Sequence, residues 1–307
     1  MRKVFGFGET VLDIIFKDGQ PRAAKPGGSV LNAFVSLGRL GWEPCFVSEY
    51  GKDDVGLLIE DFLVKNGVNT RYVNRFNDGQ SALAMAFLDN DNNANYTFYK
   101  NFPDERLQDL PEDIAADDII LFGSIYASSR EVRRSVVRFL EMGVERGAII
   151  IYDPNFRRAH LADLEELKPR IIENINYADI VRGSDEDFQL IFGAEQEGNV
   201  LEIINDETKL LIYTQNSENV NVILNSHKAS IPAKKIEPVS TIGAGDNFNA
   251  GIIHWLLKNG TTREGLQLLQ EGDLGDMAVT GIKFATNVCL GFDNYISDDF
   301  ARGILGG

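Results

Sequence analysis

Val132-Arg-Arg-Ser-Val136-Val-Arg-Phe139-Leu140-Glu-Met-Gly-Val144-Glu-Arg-Gly147-Ala148-Ile-Ile-Ile-Tyr152 changes its hydrophobic period once, at Gly147. Val132, Val136, Phe139, Leu140 and Val144 recur at helical spacing, and Gly147 follows as a left-handed stop. Ala148 to Tyr152 then runs apolar without alternation, the pattern of a strand buried on both sheet faces. A helix that delivers directly into such a strand is part of a βα repeat. The repeat extends in both directions. Upstream, Val30, Leu31, Ala33, Phe34, Leu37 and Leu40 predict a helix stopped at Gly41. Val55, Leu58, Ile59, Phe62 and Leu63 predict another, ending at Asn66-Gly67. Ile119–Phe122, Ile180–Val181 and Leu210–Tyr213 are further short apolar runs of strand length. The alternation predicts an α/β fold with a mostly parallel sheet and helices on both faces.

Residues 71–100 break the rhythm. Ala82, Ala84, Ala86 and Leu88, then Tyr96, Phe98 and Lys100, alternate with period two, and the polar run Asp89 to Asn95 suits a hairpin connection. Residues 11–25 also read as extended, with a turn at Gly19-Gln-Pro21. The two pieces are expected to pair as a small antiparallel sheet outside the main one, either as a lid or as an ordinary edge hairpin.

Composition narrows the function. With 30 basic and 46 acidic residues the net charge is −16, a field that repels a phosphate backbone and argues against nucleic-acid binding. A local ring of backbone N–H groups can still hold a nucleotide phosphate. Cys45 and Cys289 form no disulfide framework and have no metal-ligand spacing, so both are expected as buried thiols in a reducing compartment. No apolar stretch approaches the roughly 20 residues that span a bilayer, and the N-terminus lacks a signal-peptide pattern. The expectation is a cytoplasmic protein with no membrane partner.

Five segments carry chemistry. In Ser240-Thr-Ile-Gly-Ala-Gly-Asp-Asn-Phe-Asn-Ala-Gly251, the small residues Gly243, Ala244 and Gly245 run into an apolar helix, a ready anion site. Asp246 in its first turn either complements the helix dipole or serves as a base beside a bound phosphate. In Pro26-Gly27-Gly28-Ser-Val-Leu-Asn32, the glycines permit close approach to a ligand, and Asn32 can bind a sugar hydroxyl from the next helix. Asp13, near the end of the first predicted strand, can accept substrate hydroxyls from the sheet's carboxyl edge. Arg157, in Tyr152-Asp-Pro-Asn-Phe-Arg157, can neutralise a polar or anionic substrate. Ser184 and Asp187 form an Asp variant of the capping box, whose carboxylate can also hold magnesium through water. His160, His227 and His254 share no catalytic spacing and are taken as structural. Gly6-x-Gly8 fails as a dinucleotide fingerprint because Val11 holds the third glycine position. Gly51-Lys52-Asp53 fails as a P-loop.

Together and in this order, the segments resemble the PfkB family of sugar kinases, with its ribokinase-like fold, and within it the fructokinase branch. The resemblance runs from Gly8 to about residue 290 and rests on Gly27-Gly28-x3-Asn32, Leu37-Gly-Arg-Leu-Gly41, Gly51-Lys-Asp-Asp-Val-Gly56, Asp153-Pro-Asn-x-Arg157 and Thr241-Ile-Gly-Ala-Gly-Asp-x-Phe-x-Ala-Gly251. It implies one domain over residues 1–307, a three-layer α/β/α sandwich, with a β-lid from about 11–25 and 71–102. It implies ATP and Mg2+ as cofactors and phosphorylation of a primary hydroxyl of a small sugar, fructose first. 2-Keto-3-deoxygluconate and ribose are the alternative substrates, and a catalytically silent binding protein is the alternative class. Asp246 would be the catalytic base and Gly243, Ala244 and Gly245 the anion hole. Asp13, Gly28 and Asn32 would hold the sugar, with Arg157 beside it. Ser184, Asp187 and Thr214 would lie near nucleotide and metal, and lids would pair two chains into a homodimer. Three positions depart from the family pattern. Ser240 replaces an Asp of a monovalent-cation loop, Asn216 and Asn219 stand where glycines are expected, and Ser184-x-x-Asp187 replaces Asn-x-x-Glu.

Overall fold

In the computed structural model, which describes residues 2–88, 94–216 and 218–306, a long sheet forms the centre of the molecule. Its parallel part contains β1 (Val4–Phe7), β4 (Cys45–Gly51), β5 (Val73–Phe76), β8 (Ile119–Gly123), β9 (Ile149–Asp153), β10 (Ile180–Ser184) and β11 (Leu210–Gln215). The antiparallel strands β12 (Asn219–Leu224) and β13 (His227–Pro232) extend it, giving the order β13-β12-β11-β10-β9-β8-β1-β4-β5. A second sheet of order β3-β2-β6-β7 stands apart, made of β2 (Val11–Lys17), β3 (Gln20–Gly27), β6 (Gln80–Leu88) and β7 (Ala94–Asn101).

The apolar runs dictate the layers. In β9, Ile149 and Ile151 enter one core, while Ile150 and Tyr152 enter the other across the sheet. The first core is closed by helices Ser29–Arg39, Ala244–Lys258 and Glu271–Cys289, and the second by Arg133–Arg146, Leu164–Tyr177 and Asp185–Phe192. This is the expected three-layer arrangement. Helix Arg133–Arg146 ends with Gly147 at φ 77°, as its sequence predicts. Two residues assigned to buried faces are exposed instead, Leu58 and Val144. At Val144 the reason is its neighbour Gly143, where an added Cβ would come within 2.5 Å of Ile120 Cδ1. The helix rides on the glycine, and Val144 turns outward. Cys45 and Cys289 are buried and free, as expected.

The small sheet consists of two antiparallel hairpins joined by a parallel pairing of β2 with β6. Its boundaries differ from the expected ones. Val73–Phe76 pairs with β4 at the edge of the main sheet, so the second arm begins at Gln80 rather than at 71. The first hairpin turns at Asp18 and Gly19, both at positive φ (54° and 71°), while Gln20 and Pro21 already belong to β3. Two consecutive left-handed residues match the strand twist, as Gly19-Gln-Pro21 would not. Within the connection expected at Asp89 to Asn95, residues 89–93 lie outside the described residues. No helix among the described residues is long and apolar enough to cross a membrane.

Candidate active site

The carboxyl ends of β1, β9, β10 and β11 face one edge of the main sheet, where ligands of open α/β sheets bind. The N-terminus of helix Ala244–Lys258 arrives at the same edge. Gly243 caps it at φ 80°, and an added Cβ would stand 2.6 Å from the carbonyl oxygen of Asn294. Glycine is required there on both counts. The first helical bond runs from Asn247 N–H to Gly243 O, so the N–H groups of Gly245 and Asp246 have no acceptor within the helix. Together with the helix dipole they form an anion cradle.

Asp246 lies in this first turn, half-buried. Asn32 Nδ2 donates to its Oδ2 at 2.9 Å. Burial pushes its pKa up to about 7; Asn32 opposes the shift, Asp153 adds to it, and Arg157 and Arg182 oppose it. A carboxyl that titrates near neutrality, beside an anion cradle, suits proton acceptance.

Of the sugar-binding candidates, Asn32 bonds the Asp246 carboxylate directly, and Asn32 N–H also donates to Gly28 O at 2.9 Å. Gly28 holds φ 140°, and an added Cβ would lie 2.3 Å from Glu9 O. Beside it, an added Cβ on Gly27 would meet Asp13 Oδ2 at 2.2 Å, so the Asp13 carboxylate lies directly over the Gly-Gly pair. Asp13 is not at the end of the first strand, as its position suggested. The chain leaves β1 at Phe7 and restarts as β2 at Val11, placing Asp13 on the small sheet opposite Lys25 and Ala84. Burial raises its pKa to about 6. Arg157 is exposed and close enough to act electrostatically on both Asp246 and Tyr96.

The nucleotide-side candidates lie on β10 and β11. Ser184 and Asp187 form the predicted capping box: Ser184 Oγ accepts from Asp187 N at 3.1 Å, and Asp187 Oδ2 accepts from Ser184 N at 2.7 Å. Asp187 Oδ1 also accepts from Phe156 N at 2.6 Å. Both carboxylate oxygens are thus engaged, which fits contact with a metal through water and does not fit direct ligation. No cluster of three His, Cys, Asp or Glu suited to a metal occurs among the described residues. Thr214 is buried; its Oγ1 accepts from Arg182 Nη2 at 3.1 Å. Asn216 adopts φ 43°, the left-handed conformation that accounts for a glycine preference there and that Asn tolerates. Ser240 Oγ accepts from Ile242 N at 3.2 Å, a local turn in place of an Asp carboxylate.

Three residues at this edge were not singled out from sequence. Arg182 is buried, with Nη1 donating to Asp153 Oδ2 at 2.9 Å. Asn249 Nδ2 donates to the same oxygen at 2.7 Å. Asn249 follows Asp246 at i+3 on one helix face, a spacing visible in the sequence; a buried arginine in an otherwise apolar strand was the available signal for Arg182. Glu9 receives a hydrogen bond from Ser124 Oγ at 2.8 Å, and Ser124 holds a left-handed φ of 54°. Burial raises the Glu9 pKa against the effect of that bond. Of the histidines, His254 accepts from Trp42 Nε1 at 3.0 Å, and burial lowers its pKa to about 4.

Comparison with known proteins finds relatives over most of the chain. The chain is 26% identical over 264 residues to probable fructokinase-4 of Arabidopsis thaliana, covering 81% of each chain. It is 26% identical over 299 residues to fructokinase-1 of Oryza sativa subsp. japonica, covering 93% of this chain and 90% of the relative. The fold is similar to that of Vibrio cholerae O395 fructokinase bound to fructose, ADP and calcium ion, with TM-score 0.84, 20% identity and 99% coverage of both chains. It is equally similar to Xylella fastidiosa fructokinase with bound ATP, with TM-score 0.84, 19% identity and coverage of 100% and 99%. The pfkB family carbohydrate kinase model matches residues 1–269, and the chain, with its mostly parallel main sheet and separate four-stranded sheet, belongs to that family of sugar kinases.

Proposed function

We propose that the protein transfers the γ-phosphoryl group of ATP to a primary hydroxyl of a small sugar, most simply converting fructose to fructose 6-phosphate. The observation that carries this is the Asn32–Asp246 pair at the mouth of the Gly243–Gly245 cradle. The sugar lies over Gly28, held by Asp13 and Asn32, with its hydroxyl toward Asp246. The hydroxyl oxygen forms a bond to the γ-phosphorus as the bond to the bridging oxygen breaks. Asp246 accepts the hydroxyl proton, and ADP leaves. The free N–H groups of Gly245 and Asp246 take the charge on the transferring group. Asp187 would hold Mg2+ brought by the nucleotide, with Ser184 and Thr214 along the same edge, and the metal would supply further charge neutralisation.

The small sheet serves as a lid. Asp13, Ala84 and Phe98 share one of its faces with Ile15, Ala86 and Tyr96, and Ala84 and Ala86 are buried. Its other face carries Leu12 opposite Leu83, Ile14 opposite Met85 and Phe16 opposite Phe87, with the last pair stacked at 5.0 Å. A lid apolar on both faces supports a homodimer formed lid to lid, in a cytoplasmic enzyme of one domain.

ADP release would be measured with ATP and magnesium across fructose, ribose, 2-keto-3-deoxygluconate, tagatose and glucose, with Asp246→Asn as control. Turnover on fructose that the variant loses is the expected result. Sugar binding without ADP release on any sugar would replace the kinase with a binding protein.

A further inference from the structure

We infer that Arg182 is a positioning residue for phosphoryl transfer, the buried cation that braces the Gly243–Gly245 turn from beneath. The inference rests on the kinase function proposed above. Its basis is geometric. An added Cβ on Gly245 would meet Arg182 Nη1 at 2.8 Å and Nη2 at 3.2 Å, so the guanidinium lies directly against the cradle's backbone. The same two nitrogens are anchored on Asp153 Oδ2 and Thr214 Oγ1, and the plane sits 5.7 Å from the centre of the Phe248 ring. Nε has no partner. Arg182 therefore joins β10 and β11 to helix Ala244–Lys258 at the point where the helix begins.

The charge is as constrained as the position. Burial opposes it, yet Asp153, Asp187 and Asp246 together hold Arg182 above its ordinary pKa. Asp153 is also bonded by Asn249 and by Asn155 N–H, so its own orientation is fixed. Here the guanidinium lies between a structural carboxylate and the backbone that receives the phosphoryl group. The groups acting on Asp246 are Asn32 from helix Ser29–Arg39, Asp153 from β9, Arg157 from the following loop and Arg182 from β10. Asp153 opposes ionisation of Asp246, and Arg182 favours it.

The test is the pH profile of kcat/KM with fructose for wild type, Arg182→Gln and Arg182→Lys, alongside Asp246→Asn. Arg182→Gln should move the acid limb upward and lower kcat about tenfold or more, since it removes one of the two cations that favour ionisation of Asp246 and leaves Asp153 without its buried partner. Arg182→Lys should keep the limb at its wild-type position, because charge is retained. Its KM for ATP should rise about tenfold, because one ammonium cannot reach Asp153, Thr214 and the underside of Gly245 together. If Arg182→Gln gives no cooperative melt, the lysine variant decides alone, and a wild-type KM for ATP overturns the inference. A glutamine variant that folds and loses activity with its acid limb unmoved also overturns it. Turnover surviving in Asp246→Asn would instead overturn the kinase mechanism itself.

Discussion

Asp246 sets the terms at the scale of single residues. Its carboxyl must be ionised to take a proton, and burial holds its pKa at about 7 against an ordinary 3.8. Catalysis should therefore rise with pH through about 7 and then level, as the acid limb of kcat/KM with fructose will report. The same shift has a cost in stability. The folded pKa lies above the unfolded one, so the folded state binds more protons between about pH 4 and 7, and stability falls as pH rises through that window. Asp246→Asn removes the penalty. At pH 8 it should be more stable than wild type by about 1–3 kcal/mol while losing most turnover, and a denaturant melt beside an ADP-release assay reads both. Loss of activity with loss of stability would mean that Asp246 is structural. The sequence showed this residue but not its state, because its ionisation depends on burial by the fold and on Asn32, Asp153, Arg157 and Arg182, far away along the chain.

At the scale of elements, the helix that begins at Gly243 carries the chemistry, and its start is defined by backbone rather than side chains. Gly243→Ala would place a Cβ at positive φ and within 2.6 Å of Asn294 O. We expect a loss of about 1–3 kcal/mol and a sharply raised KM for ATP, with KM for the sugar nearly unchanged. Differential scanning fluorimetry and two-substrate kinetics separate these effects, and equal damage to both KM values would contradict an anion role for the turn. Elements of this kind were legible in advance because the signals were local: glycine stops after apolar helices, unbroken apolar strands, and Ser184 three residues before Asp187. What escaped depended on distant partners. Val73–Phe76 looks like the neighbouring hairpin in sequence but is recruited by β4, and the hairpin β12–β13 shows its alternation at Asn219-Val-Asn-Val222 but not that it extends the main sheet. Arg182 shows in sequence only as a charge in an apolar strand, and its setting needs Asp153, Thr214 and Gly245 from elsewhere in the chain.

At the scale of the whole molecule, the two sheets have different jobs. The long sheet is covered on both faces, while the small one leaves Phe87 43% exposed beside Phe16 on its outer face. If two lids pack together there, Phe87→Glu should convert a dimer to a monomer in light scattering and raise KM for the sugar, with the core fold intact by far-UV dichroism. A variant that remains dimeric would place the interface elsewhere. One contact links the scales. Lys25 of β3 bonds Asp293 Oδ1 at 2.8 Å and Phe292 O at 3.1 Å, and one residue further on Asn294 O accepts from Asn247 Nδ2 at 2.7 Å while lying against Gly243. The small sheet and the start of the helix at Gly243 are thus joined through residues 292–294, and we expect sugar and nucleotide to affect each other's binding. Whatever factor fructose applies to ADP affinity, ADP must apply to fructose affinity, and calorimetry in either order of addition should return the same number. Cutting the thread with Lys25→Ala should bring that factor toward one, leaving an enzyme that binds each substrate as though the other were absent.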